Sequence, residues 1–104
     1  MTEEAVPAPA RFAVPAEHPA LPGHFPGRPI VPGVLLLDAV LRAAGLTAPV
    51  RLVRAKFAAP VAPGEEILVE FGRPAPDRLG FTCHCRGRRV LWGELAGALP
   101  GDVA

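Results

Sequence analysis

Apolar residues occupy nearly every side of the stretch VLLLDAVLRAA, residues 34–44, with Asp38 and Arg42 as its only charges. About three helical turns fit that length, Gly45 is placed to cap them in the left-handed conformation, and Pro49 bars continuation. A helix apolar nearly all round is normally buried, so a carboxylate on it needs a reason. Beyond the helix the period changes to two. Residues 50–57 alternate basic with apolar positions, and Leu52 and Val53 flank a change of register before Arg54 and Lys56 alternate with Ala55 and Phe57. This predicts a strand with one wetted face. PVAPG at 60–64 predicts a turn and 65–71 a strand. In 77–86 the alternation is cleanest, with Leu79, Phe81, Cys83 and Cys85 on one face and Gly80, Thr82, His84 and Arg86 on the other. Arg86, Gly87 and Arg88 predict a tight hairpin into a last strand over 89–99. Ahead of the helix, 11–17 alternate loosely as an edge strand, since Pro15 bars a central place. One helix followed by four strands, three in hairpin sequence, predicts an α+β fold: a curved antiparallel sheet wrapped around a central helix.

Length allows one core, hence a flexible Pro/Ala tail over 1–10 and a single domain over 11–104. The net charge of +1, from 11 basic and 10 acidic residues, gives no field that would draw nucleic acid or an anionic membrane surface. No run approaches the roughly 20 apolar residues that span a bilayer, and MTEEAVPAPA lacks a signal peptide's basic start and apolar region. A cytoplasmic location is the expectation. Cys83, His84 and Cys85 invite a metal reading that the strand opposes, because neighbours on a strand point to opposite faces and no second Cys/His pair exists. Cysteines two apart on a strand are also about 7 Å apart at Cα, too far for a disulfide, and read as small buried hydrophobes. Prolines at 22, 26, 29 and 32 remove the N–H donors of a phosphate loop, so neither a metal nor a nucleotide cofactor is implied.

Candidate chemistry concentrates in HPALPGHFPGRPIVPGVLLLD, residues 18–38. Each proline fixes its own φ and biases the residue before it, so His24 sits on a stiff loop. No Ser, Thr, Asp or Asn precedes the helix, which leaves the first amides, those of Gly33, Val34 and Leu35, without a side-chain cap. Orphan donors at a positive dipole end attract an acceptor such as a carbonyl oxygen, and Gly33 has no side chain to obstruct it. Asp38 follows five residues later, about 7.5 Å along the axis. Plainer readings stand beside these: Asp38 as an i,i+4 partner of Arg42, Gly33 as a close-packing glycine, and His18 as a structural residue.

GHFPGRPIVPGVLLLDA resembles the active-site segment of the β-hydroxyacyl-acyl carrier protein dehydratases, hotdog-fold proteins with the pattern H-F-P-G-x-P-x-x-P-G-V followed by a helix bearing Glu or Asp. The match runs without a gap from His24 to Asp38, and RAKFAAPVAPGEEILVEF and RRVLWGELAGAL extend it over roughly residues 10–99. The resemblance implies a lyase that removes water from a 3-hydroxyacyl thioester on an acyl carrier protein. It gives His24 the α proton, Asp38 the leaving hydroxyl and the Gly33 amide the thioester carbonyl, with Phe25 and Val34 also in the substrate site. A second hotdog subunit, identical or different, would pair sheets edge to edge and helix beside helix, so that each site draws on both chains. The carrier protein is acidic, which makes Arg28 the candidate contact, with Arg86, Arg88 and Arg89 as a second basic cluster. Departures are Asp where many members carry Glu, Ala39 and Val40 where Ala-Gln is usual, and a short chain. They bring it closer to small dehydratase-like subunits such as those of aryl polyene synthesis. A non-catalytic partner subunit and a hotdog acyl thioesterase are the alternatives.

Overall fold

A computed structural model of the chain describes residues 6–16 and 30–98. In chain order the elements are β1 (Ala10–Phe12), α1 (Gly33–Ala44), β2 (Thr47–Phe57), β3 (Ile67–Ala75), β4 (Arg78–Cys85) and β5 (Arg88–Ala98). The strands form one antiparallel sheet in the order β1-β3-β4-β5-β2. Two hairpins therefore make its centre, and the strand that follows the helix crosses to the far side to pair with β5. The edges are unequal: β1 is three residues long and β2 is eleven.

The helix-facing side of the sheet follows the alternation. Leu79, Phe81, Cys83 and Cys85 of β4 are buried, as are Ile67 and Val69 of β3 and Val90, Leu91 and Leu95 of β5. From α1 the row Leu36, Val40 and Ala44, spaced by four, packs onto them. Each fully buried Leu, Val or Phe contributes roughly 1.5–3 kcal/mol relative to exposure. The helix ends as expected, with Gly45 at φ 64° and its N–H bonded to the Leu41 carbonyl at 3.2 Å. Arg86 and Gly87, at φ 55° and 78°, form the hairpin turn whose two left-handed residues match strand twist.

β2 carries the change of register read from its sequence. Arg51 opposes Ala96 and Leu52 opposes Leu95, the ladder then shifts, and Arg54, Ala55, Lys56 and Phe57 oppose Glu94, Gly93, Trp92 and Leu91. Val53 is the extra residue of a bulge. Its effect is to place Arg51, Arg54 and Lys56 together on the outer face and Leu52, Ala55 and Phe57 on the helix side. Gly93 is required opposite the bulge, because a Cβ there would lie 2.1 Å from the Arg54 carbonyl oxygen and 2.9 Å from the Phe81 ring.

Two strands run further than their sequences suggest. β2 begins at Thr47 and continues through Pro49, while β3 reaches Ala75 through Pro74. Among the described residues both prolines lie where the strand lacks a neighbour on one side, β2 being an edge and β1 covering only residues 67–69 of β3, so the missing N–H breaks no ladder there. The helix corrects another expectation. One sheet covers one face, and Val34 and Leu41 remain 69% and 37% exposed. No helix among the described residues is long and apolar enough to cross a membrane.

Candidate functional site

Two proline-valine segments far apart in sequence meet at the start of α1. The Val31 N–H donates to the Val61 carbonyl at 2.8 Å, and both side chains are buried. This strap fixes the entry of the chain into the helix. Pro32 stands at the cap position and makes no side-chain cap bond. Its carbonyl accepts from the Leu35 N–H at 3.0 Å, so Leu35 is not one of the open donors that the sequence suggested. The Gly33 and Val34 amides keep no hydrogen-bond partner among the described residues.

Gly33 packs against Phe57, where a Cβ would lie 2.7 Å from the ring's Cε1. The close-packing reading of this glycine therefore has its observation, and it does not compete with open amides at the same residue. Ile30, Pro32, Gly33, Leu36, Phe57 and Pro60 line an apolar groove of about 470 Å³. Asp38 opens elsewhere, into a cavity of about 500 Å³ shared with Phe12, Val14, Leu35 and Arg42. Among the described residues none lines both. Within one chain the helix start and the acid thus face different spaces.

Asp38 is not sunk in the core, as the apolar helix suggested. Its carboxylate lies 3.0 Å from the Arg42 Nε one turn on, and the two side chains are 53% and 80% exposed. The reason is rotational: two residues past Leu36 is about 200° round the helix, away from the sheet. His24, Phe25, Arg28 and His18 lie outside the described residues. Val34 stands at the helix start, exposed.

Phe57, Phe12 and Val14 belong to these cavities and carried no functional signal in the sequence. Phe57 reaches Gly33 through the long pairing of β2 with β5, and Phe12 reaches the Asp38 cavity through β1, both non-local contacts. Elsewhere the ionisable groups favour structure. Burial pushes the Cys83 thiol up to about 12. Burial, and then the Glu65 carboxylate, raises Cys85. Thiols held protonated are poor nucleophiles and poor metal ligands. His84 faces the outer side, 3.7 Å from the Glu70 carboxylate, opposite to both thiols. Glu65 accepts the Ala62 N–H at 2.7 Å, and that bond, helped by Arg86 and opposed by burial, lowers its pKa.

Known proteins place this geometry in context. A family model described as ApeI-like, ApeI dehydratase, matches residues 1–93. The 3-hydroxyacyl-acyl-carrier-protein dehydratase FabZ of Rhizorhabdus wittichii is 35% identical over 88 residues, covering 71% of this chain and 55% of that protein. The enzyme of the same name from Verminephrobacter eiseniae is 38% identical over 71 residues, covering 54% and 47%. The chain spans about half the length of these curated relatives. Among solved structures, the dehydratase heterocomplex ApeI:P from Xenorhabdus doucetiae superposes with a TM-score of 0.69 at 22% identity, covering 90% of each chain. That likeness shows the hotdog fold.

Proposed function

This chain belongs to the ApeI-like dehydratase family, and on that premise we propose that it eliminates water from a 3-hydroxyacyl thioester carried on an acyl carrier protein, giving the trans-2-enoyl thioester. In this reading the His24 imidazole takes the α proton; an ordinary imidazole titrates near about 6.5 and serves as a base around neutrality. The electrons of that C–H bond form the Cα–Cβ double bond as the Cβ–O bond breaks. Asp38 positions the departing hydroxyl or passes it a proton shared with His24, so that it leaves as water. The Gly33 and Val34 amides receive the charge that builds on the thioester carbonyl oxygen. Phe25 is assigned to the substrate site, and Arg28 to the acidic carrier. A cytoplasmic location and a role of the aryl polyene type belong to the same proposal.

The observation that carries the reading is the division of the helix: open amides at Gly33 face one cavity and Asp38 faces another. In this reading the halves make one site across two subunits, the helix start of one meeting the acid of the other. A second reading, a subunit whose catalytic power resides in a partner, is favoured by the likeness to ApeI:P, a dehydratase heterocomplex.

Incubating the purified protein with a 3-hydroxyacyl thioester at raised salt separates the possibilities. Reversible loss of water supports the dehydratase; free thiol would replace it with a thioesterase. No reaction until a second subunit is added supports the partner reading. His24→Ala and Asp38→Asn are each expected to lower turnover about 10²–10⁴-fold. Arg42→Gln is expected to leave turnover within a few-fold. Full turnover in Asp38→Asn would reduce Asp38 to an ion-pair partner of Arg42.

A further inference from the structure

The long edge of the sheet leaves apolar surface uncovered. β2 has no strand on its outer side among the described residues, and its helix-side Leu52 and Phe57 are 45% and 48% exposed. A long apolar edge of this kind is a template for another strand. On the reading proposed above, on which this inference rests, a second subunit adds there.

What distinguishes this edge is the charge of its other face. Because of the bulge at Val53, the residues between 51 and 57 that face outward are Arg51, Arg54 and Lys56, with no carboxylate on the strand. Behind them, Glu94 of β5 already binds Arg54, whose Nε lies 3.1 Å from it, and is 3.8 Å from Arg78. Lys56 lies 5.9 Å from the centroid of the Trp92 ring, over which the Arg89 guanidinium is stacked at 3.6 Å. Arg51 and Lys56 have no carboxylate within ion-pair distance among the described residues.

Suppose residues 51–57 of two copies lie side by side with their apolar residues inward. Every such register sets cations of one copy against cations of the other, which is unfavourable for directly opposed strand residues. We infer that β2 is charge-coded against a second copy of this chain, and that its occupant is a hotdog-type subunit whose pairing strand presents Asp or Glu on the outer face. An acidic strand would turn the same contacts into attraction and leave the apolar side unchanged.

A copy carrying Arg51→Glu with Lys56→Glu serves as the acidic probe, both positions being exposed. Arg54 is left intact because Glu94 holds it. Association is measured by sedimentation equilibrium at about 0.01 M and about 1 M salt, between which the screening length falls from about 30 Å to about 3 Å. At low salt the equimolar mixture of wild type and probe is expected to associate on the order of tenfold more tightly than wild type alone. High salt is expected to abolish that advantage and to tighten self-association of the wild type. The neutral pair Arg51→Gln, Lys56→Gln gives an independent reading and is expected to self-associate more tightly than wild type at low salt. A wild-type dimer equally tight at both salts, or a mixture no tighter than wild type, would overturn the charge code. A salt-insensitive dimer that dehydrates its substrate would remove the charge code and leave the dehydratase reading standing. A tight mixture without turnover would do the reverse.

Discussion

Two faces of one helix, built from the same residue types, have different fates. Leu36, Val40 and Ala44 meet the sheet at 4%, 0% and 1% exposure, whereas Val34 and Leu41 stand at 69% and 37%. On the first face the contacts are complete within one chain, and the fold is held there. The second also carries Asp38, while the Gly33 amides open at the end of the helix, beside Phe57 of the edge strand β2. The difference teaches that one chain suffices to hold the fold here, while the candidate residues Gly33 and Asp38 border the spaces that a single chain leaves open.

The contrast is broken most severely from the closed face. Leu36→Ala is expected to cost about 2–5 kcal/mol, read as a fall in the denaturation midpoint. A loss below about 1 kcal/mol would mean that the helix is not anchored to the sheet as described. Next comes the alkaline limit of the same core. The Cys83 thiol has an ordinary pKa of 9.0 and is pushed up to about 12 in the fold, so the unfolded chain ionises first. Stability from this group is whole below pH 9 and declines as pH rises from 9 toward 12. Denaturation across that window is expected to show the decline, and Cys83→Ala to flatten it. The open face gives the smallest effect. Leu41→Ala is expected to change the stability of the isolated chain by less than about 1 kcal/mol, yet to weaken association measurably.

Much of this was legible because local rules decided it. The alternation of Leu79, Phe81, Cys83 and Cys85 foretold which side of β4 is buried, Gly87 marked the hairpin and Gly45 the helix end. Even the bulge at Val53 showed as a broken alternation. What the chain did not disclose depends on distant partners. A helix apolar all round does not say which face the sheet will take, so burial of Asp38 was the wrong expectation, while its i,i+4 pairing with Arg42 was among the readings the spacing allowed. Nor does a strand pattern announce that Pro49 and Pro74 fall on uncovered edges. The strap between Val31 and Val61, and Phe57 over Gly33, rest on contacts about thirty and twenty-four residues apart in sequence. The candidate site was legible as a motif, while its division between two cavities came only from the three-dimensional arrangement.

Complementation tests the central claim most directly. His24→Ala and Asp38→Asn proteins, each inactive alone, are mixed at raised salt so that the cations of β2 are screened. A site shared between subunits predicts that turnover returns in the mixture, since a hybrid pair keeps one imidazole and one acid facing each other. A mixture that associates by light scattering and still fails to dehydrate the thioester would contradict it.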